Sequence, residues 1–198
     1  MDIAILPFVL GALWLSLRSE RVRDRIAASG LLGVAVGIKF WPIVLAPILF
    51  RPVVRKASVL VPALAVFGGL LGLQLLALIP SFWMGEESGV LAYGQQWEMN
   101  DALFMALLWM VRRVPWVAEH AALITRGVVA GILGLVILIA VYREKRTPEE
   151  WCRRALWIVA AVFLLSPTQF PWYYLWVLPF LVFSPRPSLL LLTALLPL

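Results

Sequence analysis

The stretch "ASVLVPALAVFGGLLGLQLLALIP", residues 57–80, decides the fold, because it runs for 24 residues without a charged side chain. About 20 apolar residues in a helix cross the hydrocarbon core of a bilayer, which is about 30 Å thick. Only helices and closed barrels satisfy their backbone hydrogen bonds in lipid. Apolar residues are continuous here and do not alternate with polar ones, so the stretch predicts a transmembrane helix.

The composition extends this prediction to the whole chain. It has 198 residues, of which 63% are hydrophobic, and a mean hydropathy of +0.93. Soluble domains are about 45–50% apolar. We therefore predict an all-α fold, a polytopic transmembrane helix bundle with short broken or hairpin helices and about seven to eight membrane segments. Residues 1–198 are predicted to form a single transmembrane domain with an outer loop at about 81–120.

Both ends of the sequence suggest that the chain is part of a longer protein. The start, Met1-Asp2, lacks the positively charged region of a signal peptide. The final stretch "SLLLLTALLPL", residues 188–198, is too short to span a membrane.

Several classes of site are disfavoured by simple counts. One cysteine, Cys152, excludes a disulfide framework within the chain, and one histidine, His120, excludes a histidine metal cluster. EF-hand and zinc spacings, the P-loop and the nucleophile elbow are not found in the sequence. No metal ligand and no cofactor is assigned, although a requirement for a divalent metal ion stays open.

The positive charge has a distribution that predicts membrane topology. The net charge is +6, but no soluble basic domain is present to bind nucleic acid, so we predict no nucleic-acid partner. Basic residues instead mark cytoplasmic loops. Thirteen of the 17 lie in loops 18–25, 51–56 and 143–154 and at Arg186. We predict that these loops face the cytoplasm of a bacterial plasma membrane.

The same count predicts two broken hairpins. Residues 26–50 have basic loops at both ends, so two short helices that break at "KFWP" fit better than one span. Residues 26–38 would extend roughly 20 Å as a helix, less than the bilayer core. The tip is therefore expected in the outer half of the membrane or in a cavity open to that side. Residues 155–183 repeat the arrangement, with "PTQFP" at the tip.

Local patterns predict packing and helix boundaries. Two sets of small residues each fall on one helical face, which favours close helix packing: Gly30, Gly33 and Gly37, and Gly127, Gly131 and Gly134. Gln74 is expected to form an interhelical hydrogen bond. The sequence "TPEE", residues 147–150, is a capping box that starts a helix.

Lys39 is the first candidate for a donor or phosphate-binding residue. An ionisable side chain within a membrane segment is costly and indicates function by default. Pro42 follows, which places Lys39 beside the start of the returning helix, where free N–H groups favour an anion. The alternative is that Lys39 extends to the outer interface.

The second tip supplies three further candidates for the donor site. Gln169, Trp172 and Tyr173 lie at or just after the "PTQFP" break. Broken helices at membrane depth are tolerated where they line a cavity. An interfacial aromatic belt is the alternative for the rings. We predict that these three residues border the same cavity as Lys39.

The outer region supplies candidates for sugar or acceptor contact. Amides and flat rings suit sugar recognition, and Tyr93, Trp97 and Asn100 lie there together. Glu98 and Asp101 are weak candidates for a catalytic carboxylate, since a carboxylate can serve as a general base. The alternative is a solvated loop that leads into an amphipathic helix at 102–110.

Three stretches together resemble the C superfamily of integral-membrane glycosyltransferases, most closely the family-eighty-seven polyprenol-phosphate-mannose-dependent mannosyltransferases. In order they are "GLLGVAVGIKFWPIVLAPILF", "YGQQWEMNDALF" and "SPTQFPWYYLWVLPF". The family's Lys-x-x-Pro turn falls on Lys39 and Pro42, and its Trp-x-x-Asn segment falls on Trp97 and Asn100. Its late Ser-Pro-x-x-x-Pro-Trp-Tyr turn falls on residues 166–173. The resemblance covers roughly residues 20–185.

The resemblance implies a membrane enzyme with a polyprenyl-phosphate sugar donor and a glycan or glycolipid acceptor at the outer face. The sugar it implies is mannose. The superfamily's catalytic acid usually lies in the first outer loop, and Asp2 does not match that motif. The main acid is therefore expected upstream of Met1, and the fragment alone could be inactive. Two alternatives stay open: a flippase or transporter of lipid-linked sugars, and a non-catalytic membrane subunit.

Overall fold

The computed structural model describes residues 2–83, 102–142 and 147–196, with backbone alone for Asp2, Ser81 and Phe82. Helix accounts for 86% of the described residues, which contain no strand, and this confirms the all-α prediction. The chain divides into two compact units, Met1–Gln96 and Trp97–Leu198, and each is described by itself. The single-domain organisation and the outer loop at 81–120 stay predictions.

The first unit is a group of helices around a central one. Its α-helices are α1 (Asp2–Arg18), α2 (Val22–Ile38), α3 (Ala46–Phe50) and α4 (Ala57–Trp83), and a 3₁₀ helix (Trp41–Leu45) precedes α3. Helix α2 is central because it packs against both α1 and α4. The Nη1 of Arg25 donates to the Oγ of Ser16 over 2.6 Å, which ties α2 to α1.

Helix α2 begins four residues before the predicted boundary at residue 26. The loop prediction for 18–25 followed from charge alone, but the basic residues from Arg23 onward are helical. Asp24 lies in the first turn, where a carboxylate interacts favourably with the helix dipole. A charged segment at a membrane surface can therefore be a helical extension of the span that follows it.

The glycine face of α2 packs as predicted. A Cβ built on Gly30 would lie 3.4 Å from Val66, and one on Gly33 would lie 3.2 Å from Leu70. A Cβ on Gly37 would overlap the side-chain amide of Gln74. The contacted residues of α4 are four apart, so one stripe of α4 lies along the glycine face.

The second unit contains the remaining described helices. They are α5 (Ala102–Arg112), α6 (Ala121–Tyr142), α7 (Pro148–Leu165), α8 (Leu178–Phe183) and α9 (Pro187–Leu195), with 3₁₀ helices at Pro115–His120 and Pro171–Trp176. Helix α6 packs against α5 and α7, and α7 packs against α8. The predicted helix start is confirmed at α7, where the Oγ1 of Thr147 accepts a hydrogen bond from the N–H of Glu150, one of the two bonds of a capping box.

The glycines of α6 differ from those of α2. A Cβ built on Gly127, Gly131 or Gly134 would meet no described atom within 4 Å. The predicted packing of this face is therefore not found within the described part of the chain.

Within the described part of the chain, two helical segments are long and apolar enough to cross a membrane, Ala57–Pro80 and Pro115–Tyr142. Core helices of soluble proteins can pass the same test, but those are mostly buried. Here only 17% of each apolar window is buried, and side chains such as Leu73 and Leu138 are about two-thirds exposed. Exposed apolar surface of this extent fits a lipid environment. The predicted count of about seven to eight segments stays a prediction.

Candidate functional site

The first predicted tip contains the expected break at Lys39. Helix α2 ends at Ile38, and Lys39 takes an extended backbone with φ −159° and ψ 141° while its N–H still donates to the carbonyl of Ala35. The returning element begins as the 3₁₀ helix at Trp41, with Pro42 in its first turn, and continues into α3. Proline fits an N-terminal turn because it has no N–H to satisfy.

The side chains at this tip divide between interior and exterior. Trp41 and Pro42 are buried, Phe40 is 56% exposed, and Lys39 is half-buried. The lysine therefore lies at the edge of the packed unit. This placement is compatible with an anion seat and with extension toward an interface.

Gln74 lies beside the first tip, and its interhelical hydrogen bond is confirmed. Its Nε2 donates to the carbonyl of Gly33 over 3.3 Å. Its Oε1 is buried and has no hydrogen-bond partner among the described residues. The predicted donor-site residues did not include Gln74. The signal in the sequence was a single amide in a long apolar run, which alone could not show its position next to the break.

The second tip is a longer connection that satisfies its own backbone groups. Helix α7 ends at Leu165, and the hydroxyl of Ser166 both donates to the carbonyl and accepts from the N–H of Thr168. The Nε2 of Gln169 donates to the carbonyl of Leu164 over 2.7 Å. Free carbonyls at a helix end need such partners. Gln169 thus holds the end of α7, a role that its sequence position did not reveal.

The aromatic side chains after this break form two stacked pairs. Phe170 and Trp172 stack with ring centroids 4.5 Å apart and an interplanar angle of 7°. Tyr173 and Trp176 stack at 4.4 Å and 19°. Tyr173 is 6% exposed, whereas Trp172 is 49% exposed. Trp172 therefore presents a ring at the surface of this unit, and Tyr173 lies in its packed interior.

The sugar-contact and carboxylate candidates lie outside the described residues. These are Tyr93, Trp97, Glu98, Asn100 and Asp101. Lys39 and the group of Gln169, Trp172 and Tyr173 belong to different units, so their shared cavity stays a prediction.

The residue types at the two tips limit the chemical roles that these tips can perform. Residues 39–45 and 166–176 contain a cation, amides, hydroxyls and aromatic rings but no carboxylate. Such groups can bind an anion and a sugar, but a general base for a hydroxyl has to come from elsewhere. The described residues contain no group of three or more His, Cys, Asp or Glu side chains that could hold a metal ion.

Comparison with known proteins gives one match. The family model described as Glycosyltransferase family 87 matches residues 1–167. The matched region includes the Lys39 tip and ends at Pro167, so Gln169, Trp172 and Tyr173 lie beyond it. No curated protein and no solved structure matches the chain.

Proposed function

The chain belongs to glycosyltransferase family 87, and from this membership we propose that it transfers mannose from a polyprenyl-phosphate donor to a glycan or glycolipid acceptor. The membership itself implies a membrane glycosyltransferase. The donor class, the sugar and the outer face of a bacterial plasma membrane are parts of the proposal.

One structural observation supports the proposed donor site. Two apolar helical segments are joined at Lys39, whose backbone is extended and whose side chain is half-buried. Lys39 lies between α2 and a returning element that starts with proline in its first turn. A cation in this position can stabilise the phosphate, which gains negative charge as it leaves. The Oε1 of Gln74 also lacks a described hydrogen-bond partner, but it is buried against Gly37, so no sugar contact is assigned to it.

The second tip is proposed to complete the donor site. The exposed ring of Trp172 offers a flat surface for a sugar or an isoprenoid chain. Tyr173 and Gln169 support that ring, because Tyr173 packs edge-on against Trp172 and Gln169 fixes the preceding turn. Their proposed contribution is to position the Trp172 surface.

The proposed reaction has a simple balance of bonds. The acceptor hydroxyl forms a bond to the anomeric carbon, and a carboxylate takes its proton. The bond from that carbon to the phosphate oxygen breaks, and the phosphate leaves with the electron pair. Glu98 and Asp101 are the proposed candidates to take the proton. Tyr93, Trp97 and Asn100 are proposed to contact the sugar or the acceptor.

Transfer from radiolabelled polyprenyl-phosphate mannose by the full chain tests this function. Label should pass to an acceptor glycolipid, and Lys39→Ala combined with Trp172→Ala should greatly reduce the rate. Lys56→Ala is the matched control, because Lys56 is an exposed lysine on the same unit. Unchanged transfer by the double variant would contradict the site. Movement of the donor across the membrane without transfer would favour a flippase.

The outer-face assignment has its own test. In a Cys152→Ser background, single cysteines at positions 95 and 147 should react differently with a membrane-impermeant thiol reagent added to intact cells. The cysteine at 95 should be labelled and the one at 147 protected. The reverse pattern would invert the proposed orientation.

A further inference from the structure

A cavity of about 640 Å³ lies within the second unit, among α5, α6, α7 and α9. Most of its lining is aliphatic, with Val136 and Ile139 on α6 and Ala161 and Leu164 on α7. At one end the lining changes to the charged side chains of the first turns of α7. The cavity therefore has the polarity of an amphiphile, with one charged end and a long apolar remainder.

The charged end contains more cationic groups than its carboxylates neutralise. Glu150 pairs with Arg153 and, over 3.2 Å, with the Nε of Arg154. Arg186 lies with its Cζ 5.6 Å from the ring of Trp157, another lining residue. Together with the exposed Glu149, this gives three guanidinium groups against two carboxylates among the described residues at this end.

Arg154 is the residue that indicates a ligand. It is only 9% exposed, and its Nη2 is buried without a hydrogen-bond partner among the described residues. A buried N–H of a charged group without an acceptor is unfavourable, and phosphate oxygens, like carboxylate oxygens, match the geometry of a guanidinium fork. The Nε of Arg186 is buried and without a partner in the same way.

The length of the apolar part matches one leaflet of a bilayer. From Arg154 to Leu165 the helix rises roughly 16 Å, about half of a hydrocarbon core that is about 30 Å thick. Access from the side is also available, since Trp157 is 49% exposed and Ile139 is 58% exposed. An acyl chain could therefore enter from the lipid with its head group at the arginines.

We propose that this cavity binds an anionic glycerophospholipid. The phosphodiester accepts from the Nη2 of Arg154, and one acyl chain lies along α6 and α7. A polyprenyl chain is much longer than one leaflet is deep, which favours an acyl chain here over the sugar donor. Lipid binding at this site is independent of glycosyl transfer, so either proposal can fail without the other.

The test is lipid titration of the delipidated full chain in detergent, followed by native mass spectrometry. Phosphatidylglycerol should bind at least about tenfold more tightly than phosphatidylcholine, and Arg154→Gln should weaken phosphatidylglycerol by about tenfold. Arg23→Gln, an equal charge change at an exposed residue of the other unit, should leave the affinity unchanged. Ala161→Phe should block the apolar part and weaken both lipids.

Glu150→Gln separates lipid binding from a purely structural ion pair. This substitution removes the carboxylate that competes with the lipid phosphate for Arg153 and Arg154, so the affinity for phosphatidylglycerol should rise. If the ion pair were only structural, the affinity would not rise. Equal affinity for the two lipids would overturn the proposal, as would a folded Arg154→Gln protein with unchanged affinity. Displacement of phosphatidylglycerol by equimolar polyprenyl phosphate would assign the cavity to the donor.

Discussion

The two broken hairpins follow one plan but differ in how each break is built. In both, an α-helix gives way to extended backbone, and a 3₁₀ segment with proline in its first turn leads into a short α-helix. At the second break, Ser166 and Gln169 supply hydrogen bonds to the turn and to the end of α7. At the first, the backbone bends at Lys39, and the cap residue Phe40 offers no polar side chain.

This difference separates a structural turn from a candidate binding turn. Polar side chains that bond their own backbone stabilise a conformation and have less capacity left for a ligand. We therefore expect substitutions of Ser166 and Gln169 to affect stability, and substitutions of Lys39 and Trp172, the proposed donor contacts, to affect catalysis.

Lys39→Ala should have the largest effect. Loss of the cation next to the leaving phosphate should lower the transfer rate by about 100-fold, the scale seen when one electrostatic stabiliser is removed. Initial rates with saturating donor measure this, with Lys39→Arg as the charge-preserving variant. A Lys39→Ala enzyme with the full rate would remove the distinction between the two breaks.

Gly33→Val compares the two glycine faces. The Leu70 side chain and the Phe67 carbonyl leave no room for the added methyl groups, so the free energy of unfolding should fall by about 2 kcal/mol. Gly131→Val is the control, because no described atom lies within 4 Å of its Cβ position. Unfolding in mixed micelles reports both values. Equal losses would indicate that the α6 face is also packed in the full protein.

Gln169→Ala tests the structural character of the second break. The carbonyl of Leu164 would lose its side-chain partner, which should cost about 1 kcal/mol of unfolding free energy. The donor KM should rise only modestly in protein that remains folded, because Gln169 is proposed to act on the donor only through the position of Trp172. A large rise in KM with unchanged stability would instead mean that Gln169 contacts the donor directly.

Glu150 should give a small dependence of stability on pH. Burial raises the pKa of its carboxyl, but hydrogen bonds and charge from Arg153 and Arg154 outweigh burial and lower it overall. The stabilisation is therefore complete above the ordinary carboxyl pKa and is lost as pH falls through the lowered value. Unfolding of the native chain and of Glu150→Gln should converge in acid. Parallel pH profiles would contradict the pairing.

Much of the fold could be predicted from the sequence because charge and apolar length set the helix bounds. Both breaks occur where proline and polar residues interrupt apolar runs, as predicted. The predicted start of α2 at residue 26 was too late, because clustered charges were taken to indicate a loop, whereas the helix begins at Val22.

The site was less accessible to prediction, because side-chain partners depend on tertiary structure. The two glycine faces have similar spacing, yet only that of α2 has a described neighbour. An amide such as Gln169 can cap a helix or bind a sugar with the same atoms, and only its contact with Leu164 shows which carbonyl it serves.

Each hairpin folds back upon itself, as the packing of α7 against α8 shows. A segment of this kind returns the chain to the side from which it came. During insertion into a bilayer it would add no net crossing, so the orientation of every later loop would not depend on it. Such units can be gained, lost or reshaped in evolution while the rest of the topology is inherited unchanged.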